Sequence, residues 1–186
     1  MIAQWLSNFH PVRVRGLVTL NVSYVAPSGH FDLDEANAQT QEDVRRRHLW
    51  HFFAADDAVE IMNRNLESVY AAVFSEAETW VDTFCSPGGM RRLVSEGRTQ
   101  PTQPFATAEH KADFMGRFSK AGDGGFAAPN CSYKATRTGV QAEADRKIDE
   151  EAKTVRVPVL YCGGTRDFVC RPELLQSGID AGLLSA

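Results

Sequence analysis

The chain has 186 residues, a formal net charge of −4 and a hydrophobic fraction of 43%, which predicts one globular domain with a substantial core. No segment approaches the roughly 18 consecutive apolar residues that a membrane-spanning helix needs. The acidic balance gives no electrostatic footprint for nucleic acid. The one basic cluster, Arg45-Arg46-Arg47, is too short to change this and is interpreted as a solvated helix or loop face.

The N-terminal region predicts a helix followed by a strand. Residues 2–9 suit a short helix, which ends at His10-Pro11 because the residue before a proline is disfavoured in the α conformation. Residues 14–22 (VRGLVTLNV) then predict a strand with a nearly continuous apolar centre. The stretch 26–48 is polar and irregular, and we expect it to leave the core.

The central region, from Asp56 to about residue 154, has a helical pattern throughout. Asp56 or Asp57 can cap a first helix. Apolar residues then recur at steps of three and four: Val59, Met62, Leu66, Val69 and Val73. Thr107 can cap a later helix. An almost all-helical insert between two strands predicts a lid.

The C-terminal region contains the most informative stretch, residues 157–167 (VPVLYCGGTRD). Its short apolar run predicts a strand over residues 155–161, buried on both faces, and Cys162 directly after it is expected to be buried as well. The Gly-Gly turn then places Asp167 at the carboxyl end of that strand, where ligands and catalytic groups gather in open α/β sheets. An aspartate there can orient a histidine, but all five histidines precede it in the sequence.

These elements predict the α/β class, with a few parallel strands covered by helices and a large helical cap. Three parts follow from the pattern. Residues 1–25 form a first piece of the sheet core, residues 26–154 form the cap, and residues 155–186 form a second core piece that carries the acid.

Four segments resemble α/β-hydrolases of the epoxide hydrolase and haloalkane dehalogenase group. Residues 5–18 (WLSNFHPVRVRGLV) are similar to the helix ending F-x-P-x-R-V that follows the family's nucleophile. Residues 50–66, beginning WHFF, resemble the start of the helical cap in fungal and animal epoxide hydrolases. Residues 124–134 (GGFAAPNCSYK) resemble the late cap segment G-G-[FY]-x-G-P-x-N-W-Y, and residues 163–170 (GGTRDFVC) resemble the strand end that bears the family's acid.

The resemblance implies hydrolysis of an epoxide to a diol in two steps. An aspartate nucleophile, usually in D-W-G, opens the ring and forms an ester, while two cap tyrosines donate hydrogen bonds to the epoxide oxygen. A histidine held by the acid then activates water against the ester. The family requires no metal or organic cofactor, and its partner is a small-molecule epoxide. By this resemblance, Asp167 takes the position of the acid and Tyr133 that of a cap tyrosine.

The chain departs from the family pattern at both ends and in the cap. It contains no D-W-G, no H-G-x-P and no histidine after Asp167, and Leu49 stands where the first cap tyrosine is expected. We therefore expect a chain truncated at both ends and inactive as given. The alternatives are a non-catalytic, cap-like binding or interaction module and a haloalkane dehalogenase-like fragment.

Each candidate residue also has a plainer interpretation. Asp167 fits an ordinary turn, and Tyr133 fits a packed cap aromatic. Three aromatic residues at the start of the cap fit either a substrate cleft or simple core: Trp50, Phe52 and Phe53. His48 and His51 lie three residues apart, but without a third ligand nearby we expect surface or packing histidines rather than a metal site.

The cysteines and the N-terminus indicate a reducing compartment. The four cysteines are scattered, and the nearest pair, Cys162 and Cys170, is too widely spaced for a zinc site. Free thiols are the expectation. No basic segment followed by an apolar stretch is visible at the N-terminus, so we expect a cytoplasmic protein. The sequence does not specify the oligomeric state.

Overall fold

A computed structural model describes residues 2–38, 48–119 and 124–184; the basic cluster at residues 45–47 lies outside this part of the chain. The helices and strands follow in chain order: α1 (Ile2–Phe9), β1 (Leu17–Leu20), α2 (Leu33–Ala38), α3 (Leu49–Phe53), α4 (Ala58–Arg64), α5 (Leu66–Val73), α6 (Trp80–Thr83), α7 (Gly89–Ser95), α8 (Ala108–Phe118), α9 (Ala127–Arg137), α10 (Val140–Asp145), β2 (Val159–Cys162) and α11 (Glu173–Asp180). Short 3-10 turns lie at Pro11–Arg13, Ala77–Thr79 and Glu150–Lys153.

The chain folds into two compact units. The first unit combines Met1–Phe31 with Gly139–Ala186, and the second is Asp32–Thr138. The three-part division proposed from the sequence, with a cap over residues 26–154, stays a prediction.

The first unit contains the two predicted strands, paired side by side. β1 and β2 run parallel with Leu17 opposite Val159 and Leu20 opposite Cys162. A parallel pair requires a long crossover, and here the crossover contains the whole second unit. This confirms the predicted α/β class with parallel strands and an extensive helical region.

Both strands are shorter than predicted. β1 ends at Leu20, because the next residue, Asn21, has a left-handed φ of 58° that takes the backbone out of the extended conformation. β2 begins after Pro158, which has no N–H to give to a ladder but whose carbonyl oxygen accepts the N–H of Leu17 at 2.9 Å. The ladder is therefore limited by local backbone chemistry at one end of each strand.

The expectation that these strands are buried on both faces is wrong. Leu17 and Thr19 are buried on one face, and Leu17 belongs to a core cluster with Tyr24, Val155 and Leu184. The other face is exposed, with exposed fractions of 64% for Val18, 70% for Leu20 and 59% for Leu160. Cys162 is also exposed rather than buried. A continuous apolar run indicates that a strand can be covered on both faces, but the cover must come from other elements.

Helix α1 buries its polar side and exposes its apolar side, the reverse of an ordinary amphipathic helix. It buries three polar residues, Gln4, Ser7 and Asn8. Its larger apolar side chains at Ile2, Leu6 and Phe9 are exposed. The buried amides bond through their N–H groups, because Gln4 Nε2 donates to the Ser23 carbonyl at 3.0 Å and Asn8 Nδ2 donates to the Tyr24 hydroxyl at 2.7 Å. Polar contacts therefore hold α1 in the first unit, and its apolar side faces outward.

The second unit is built from helices, as the sequence pattern predicts. Its centre contains fully buried residues of α4, α5 and α7: Met62, Val69, Met90 and Val94. The first helix predicted here is two helices, because the helical conformation is interrupted at Asn65 (φ −122°, ψ 47°) between α4 and α5. The prediction that Thr107 caps a helix is confirmed, since its hydroxyl accepts the N–H of His110 at the start of α8.

Candidate functional site

Asp167 lies just beyond β2, in a loop that fixes its carboxylate. One carboxylate oxygen, Oδ1, accepts the backbone N–H groups of Val169 at 2.8 Å and Cys170 at 2.7 Å. The N–H of Asp167 itself donates to the carbonyl of Gly164 at 3.1 Å. These bonds hold the side chain in one orientation at the carboxyl end of the strand. An oriented carboxylate of this kind can hold a histidine in a single tautomer.

Gly163, the first residue of the Gly-Gly turn before Asp167, lies close against Tyr161. A Cβ atom on Gly163 would lie only 2.6 Å from Cε1 and from the hydroxyl oxygen of Tyr161. Gly164 donates its N–H to Oδ1 of Asn21 at 2.8 Å, so the turn after β2 is tied to the residue that ends β1. The two strand ends are thus joined where the acid emerges.

Tyr161 is a neighbour of the acid that the sequence analysis did not identify. It lies on the same side of β2 as Val159, and its hydroxyl oxygen is buried with no hydrogen-bond partner among the residues that the structure describes. Burial raises the pKa of the Tyr161 phenol, and electrostatic interactions with Cys170, Asp167 and Glu173 raise it further. The phenol therefore stays protonated. The alternation of side chains along β2 predicts that Tyr161 shares a face with the core. It does not predict that the hydroxyl has no hydrogen-bond partner among the described residues.

Tyr133 lies in α9, in the second unit, among aromatic side chains. Its ring packs edge-on against Trp50 with 5.3 Å between the ring centroids. The ring of Phe53 lies 5.0 Å away at an angle of 55°. Such arrangements suit the quadrupoles of the rings and restrict how the tyrosine can rotate. Tyr133 therefore belongs to an aromatic cluster, defined here as Trp50, Phe53 and Tyr133.

The remaining candidates at the start of the predicted cap are part of the core of the second unit. Leu49, Phe52 and Phe53 are buried, and the guanidinium of Arg91 lies 5.1 Å from the centre of the Phe52 ring. Leu49 stands where the family places a hydrogen-bond donor, and its side chain can supply none. Tyr133 is thus the one cap tyrosine that the resemblance assigns to this chain.

His48 and His51 pack on each other. Their rings are stacked with 6.0 Å between centroids. His51 Nε2 lies 3.4 Å from Asp34 Oδ1 and 3.4 Å from Asn37 Nδ2. Within residues 2–38, 48–119 and 124–184, no group of three or more His, Cys, Asp or Glu side chains is arranged to hold a metal ion.

Asp167 and Tyr133 belong to different compact units.

The four cysteines carry free thiols. None of the helices in the described residues combines the length and apolar character needed to cross a membrane.

Comparison with known proteins identifies the fold. No protein-family model matches the chain, and no curated protein matches it. Among solved structures, the chain is similar to an epoxide hydrolase from an endophytic Streptomyces, with a TM-score of 0.71 and 18% identity. It is also similar to a mutant of potato epoxide hydrolase, with a TM-score of 0.61 and 19% identity.

Both similarities cover the whole of this chain but little more than half of the other one. The covered share is 56% of the Streptomyces enzyme and 57% of the potato enzyme. The comparisons confirm that the chain has the fold of these enzymes, as part of an α/β-hydrolase fold with a large helical region.

Proposed function

We propose that this chain is the central piece of an epoxide hydrolase, which converts an epoxide to a diol through an aspartyl ester. The observation that carries the proposal is the match of the whole chain to two epoxide hydrolase structures, with Asp167 held at the carboxyl end of β2. In this proposal, the nucleophile, the oxyanion loop and the histidine belong to segments outside the 186 residues.

In the first step, a carboxylate attacks one carbon of the epoxide and the bond from that carbon to oxygen breaks. The oxygen develops negative charge as the ring opens, and it is a poor leaving group until a proton reaches it. The Tyr133 phenol donates a hydrogen bond and then its proton to that oxygen, from a ring whose position is restricted by packing in the aromatic cluster. The product of this step is an ester between the enzyme and the substrate.

In the second step, water attacks the carbonyl carbon of the ester, and the diol leaves with the carboxylate regenerated. A histidine takes a proton from the water and becomes an imidazolium. Asp167 stabilises that cation and orients its ring, and the two backbone N–H groups on Oδ1 keep the carboxylate in place while it does so.

The surface of the first unit supports the existence of further protein segments. Parallel sheets are found almost only with both faces covered, and an isolated two-stranded sheet is marginally stable in water. Here one sheet face and the outer side of α1 expose apolar residues. Covering these surfaces is what additional strands and helices of an α/β-hydrolase core would do.

A non-catalytic binding or interaction module is the second candidate. It is favoured by the lack of D-W-G and H-G-x-P in the 186 residues, because these supply the nucleophile and the oxyanion loop in the family. The genomic sequence on both sides of the coding region distinguishes the candidates. An upstream frame encoding H-G-x-P and D-W-G with a downstream frame encoding a late histidine supports the enzyme, and unrelated flanking sequence supports the module.

The 186-residue chain alone should not hydrolyse epoxides. Removing the nucleophile and the histidine together removes several orders of magnitude of rate, since these groups act as a unit. The measurement is diol formation from styrene oxide by the purified chain, followed by chromatography. Diol formation clearly above the rate in buffer would show that the chain carries a nucleophile of its own.

A further inference from the structure

Asn63, an exposed residue of α4, is bonded to the turn that begins α9. Its side-chain Oδ1 accepts the backbone N–H of Phe126 at 3.0 Å. Its Nδ2 donates to the carbonyl oxygen of Gly124 at 3.4 Å. One amide group thus bonds to both sides of a three-residue turn that is more than 60 residues away in the sequence.

The turn is shaped to receive this amide. Gly124 and Gly125 both have left-handed backbones, with φ values of 70° and 52°, and only glycine adopts this conformation without steric cost. A Cβ atom on Gly125 would lie 2.2 Å from Asn63 Oδ1. The backbone therefore approaches the Asn63 amide as closely as contact permits.

The bond to Phe126 satisfies a backbone group at the start of a helix. Phe126 is the capping residue of α9, and no side chain of its own caps the helix. The first N–H groups of a helix have no partner within it and need one from elsewhere. Asn63 serves one N–H at this terminus, so it fixes where α9 begins.

The rest of α9 rests on the same part of the second unit. The buried Asn130 contacts Met62 of α4 through Nδ2 and Sδ, at 3.5 Å. Near the other end of α9, Arg137 Nη1 donates to the carbonyl of Ala54 at 2.9 Å. Tyr133 lies between these contacts, so its ring position depends on how α9 is held at both ends.

From these contacts we propose that Asn63 is a positioning residue for Tyr133. Tyr133 follows Phe126 by about two helical turns, or roughly 10 Å along the axis, so a shift or rotation at the start of α9 moves the phenol. Its catalytic meaning rests on the function proposed above, whereas the positioning itself is a property of the folded chain. A displacement of about 1 Å can cost on the order of a hundredfold in rate, so a side chain that sets the position of Tyr133 can affect catalysis without touching substrate.

The fold has a second anchor at the same turn. Phe126 stacks on Phe118 of α8, with 4.3 Å between centroids and 4° between the ring planes. Loss of the Asn63 amide should therefore leave α9 formed but allow the start of the helix to shift in position. Asn63 is exposed and the Phe126–Phe118 stacking does not depend on its amide, so position and stability can be separated experimentally.

The test is nuclear magnetic resonance of the 186-residue chain with labelled tyrosine and tryptophan. The readouts are the chemical shifts of the Tyr133 ring and its cross-relaxation with Trp50, alongside thermal unfolding. Three variants are compared. Asn63→Leu removes both bonds at similar size, Asn63→Asp keeps an acceptor for the Phe126 N–H, and Arg64→Leu is the control at a neighbouring exposed position of α4.

With Asn63→Leu, we expect the Tyr133 resonances to move and its cross-peaks to Trp50 to weaken, with little change in melting temperature. Asn63→Asp should retain most of the parent pattern, and Arg64→Leu should match the parent. Unchanged Tyr133 signals in Asn63→Leu would overturn the proposal, as would an Asn63→Asp variant that behaves like Asn63→Leu. A general loss of folded structure in Asn63→Leu would also overturn it, by making Asn63 a folding residue. None of these outcomes depends on epoxide turnover, so they stand apart from the test of the proposed function.

Discussion

At the scale of residues, Asp167 and Tyr133 are held by different kinds of contact. Backbone N–H groups fix the carboxylate of Asp167, whereas ring packing against Trp50 and Phe53 fixes Tyr133. Removing the hydroxyl of Tyr133 leaves its ring contacts in place. The chemical and structural roles of this residue can therefore be separated by a single substitution.

In an enzyme restored by its flanking segments, Tyr133→Phe should slow ring opening. The variant loses the donor to the epoxide oxygen, and since Leu49 cannot replace it, the loss should be on the order of 2.7–4 kcal/mol, as for a single oxyanion donor. The measurement is single-turnover kinetics that separates formation of the ester from its hydrolysis.

Tyr70→Phe is the matched control for this substitution. Tyr70 lies in the same unit, is buried, and has a hydroxyl hydrogen-bonded to Nδ1 of His110 at 3.0 Å. The Tyr70→Phe variant should change the free energy of unfolding by about 1 kcal/mol without slowing ring opening. A rate of ester formation in Tyr133→Phe within about twofold of the parent, a difference of well under 1.4 kcal/mol, would reduce Tyr133 to a packed aromatic.

At the scale of elements, the sequence was sufficient to locate the strands but not their surroundings. The apolar runs around Leu17 and Val159 predict paired strands because few other structures accommodate such runs between glycine and proline. The exposure of Val18 and Leu160 was not predictable, since a sequence pattern does not report which elements lie over a face. The same limit applies to α1, whose polar side is buried through contacts with residues far along the chain.

Helix ends and long-range polar contacts also could not be predicted from the sequence. The apolar spacing continues from Met62 through Leu66 and Val69 as if one helix were present, so the break at Asn65 leaves no trace in the periodicity. Asn63 and Tyr161 carry no motif of their own. Their importance comes from the Gly124–Phe126 turn and from the loop around Asp167, which the fold brings to them.

Gly163→Ala should destabilise the first unit. The added Cβ would overlap the Tyr161 ring at 2.6 Å, and overpacking of this kind costs about 1–3 kcal/mol. The measurement is the free energy of unfolding in urea.

Gly178→Ala is the control in the same unit. Gly178 lies within α11, where an added Cβ would make only an ordinary contact with Leu184 at 3.6 Å. Replacing a helical glycine by alanine should raise stability by about 0.5–1 kcal/mol. If both variants shifted stability in the same direction, the close approach of Tyr161 to Gly163 would not be what requires glycine there.

At the scale of the whole molecule, Asp167 and Tyr133 lie in separate compact units of a chain that spans little more than half of the similar enzymes. The first unit exposes apolar residues on its sheet and on α1. These features agree with a chain that contributes part of a larger catalytic fold. The proposed function predicts that epoxide hydrolysis requires the flanking segments.

The central claim is that Asp167 serves the second step of a two-step epoxide hydrolysis. The most direct measurement is the intact mass of the restored enzyme carrying Asp167→Asn after mixing with styrene oxide. An amide cannot stabilise the imidazolium as a carboxylate does, so the account predicts that the ester forms and accumulates, adding the mass of one substrate molecule, while the parent returns to its free mass. Diol release by Asp167→Asn at the parent rate, with no adduct, would contradict the account.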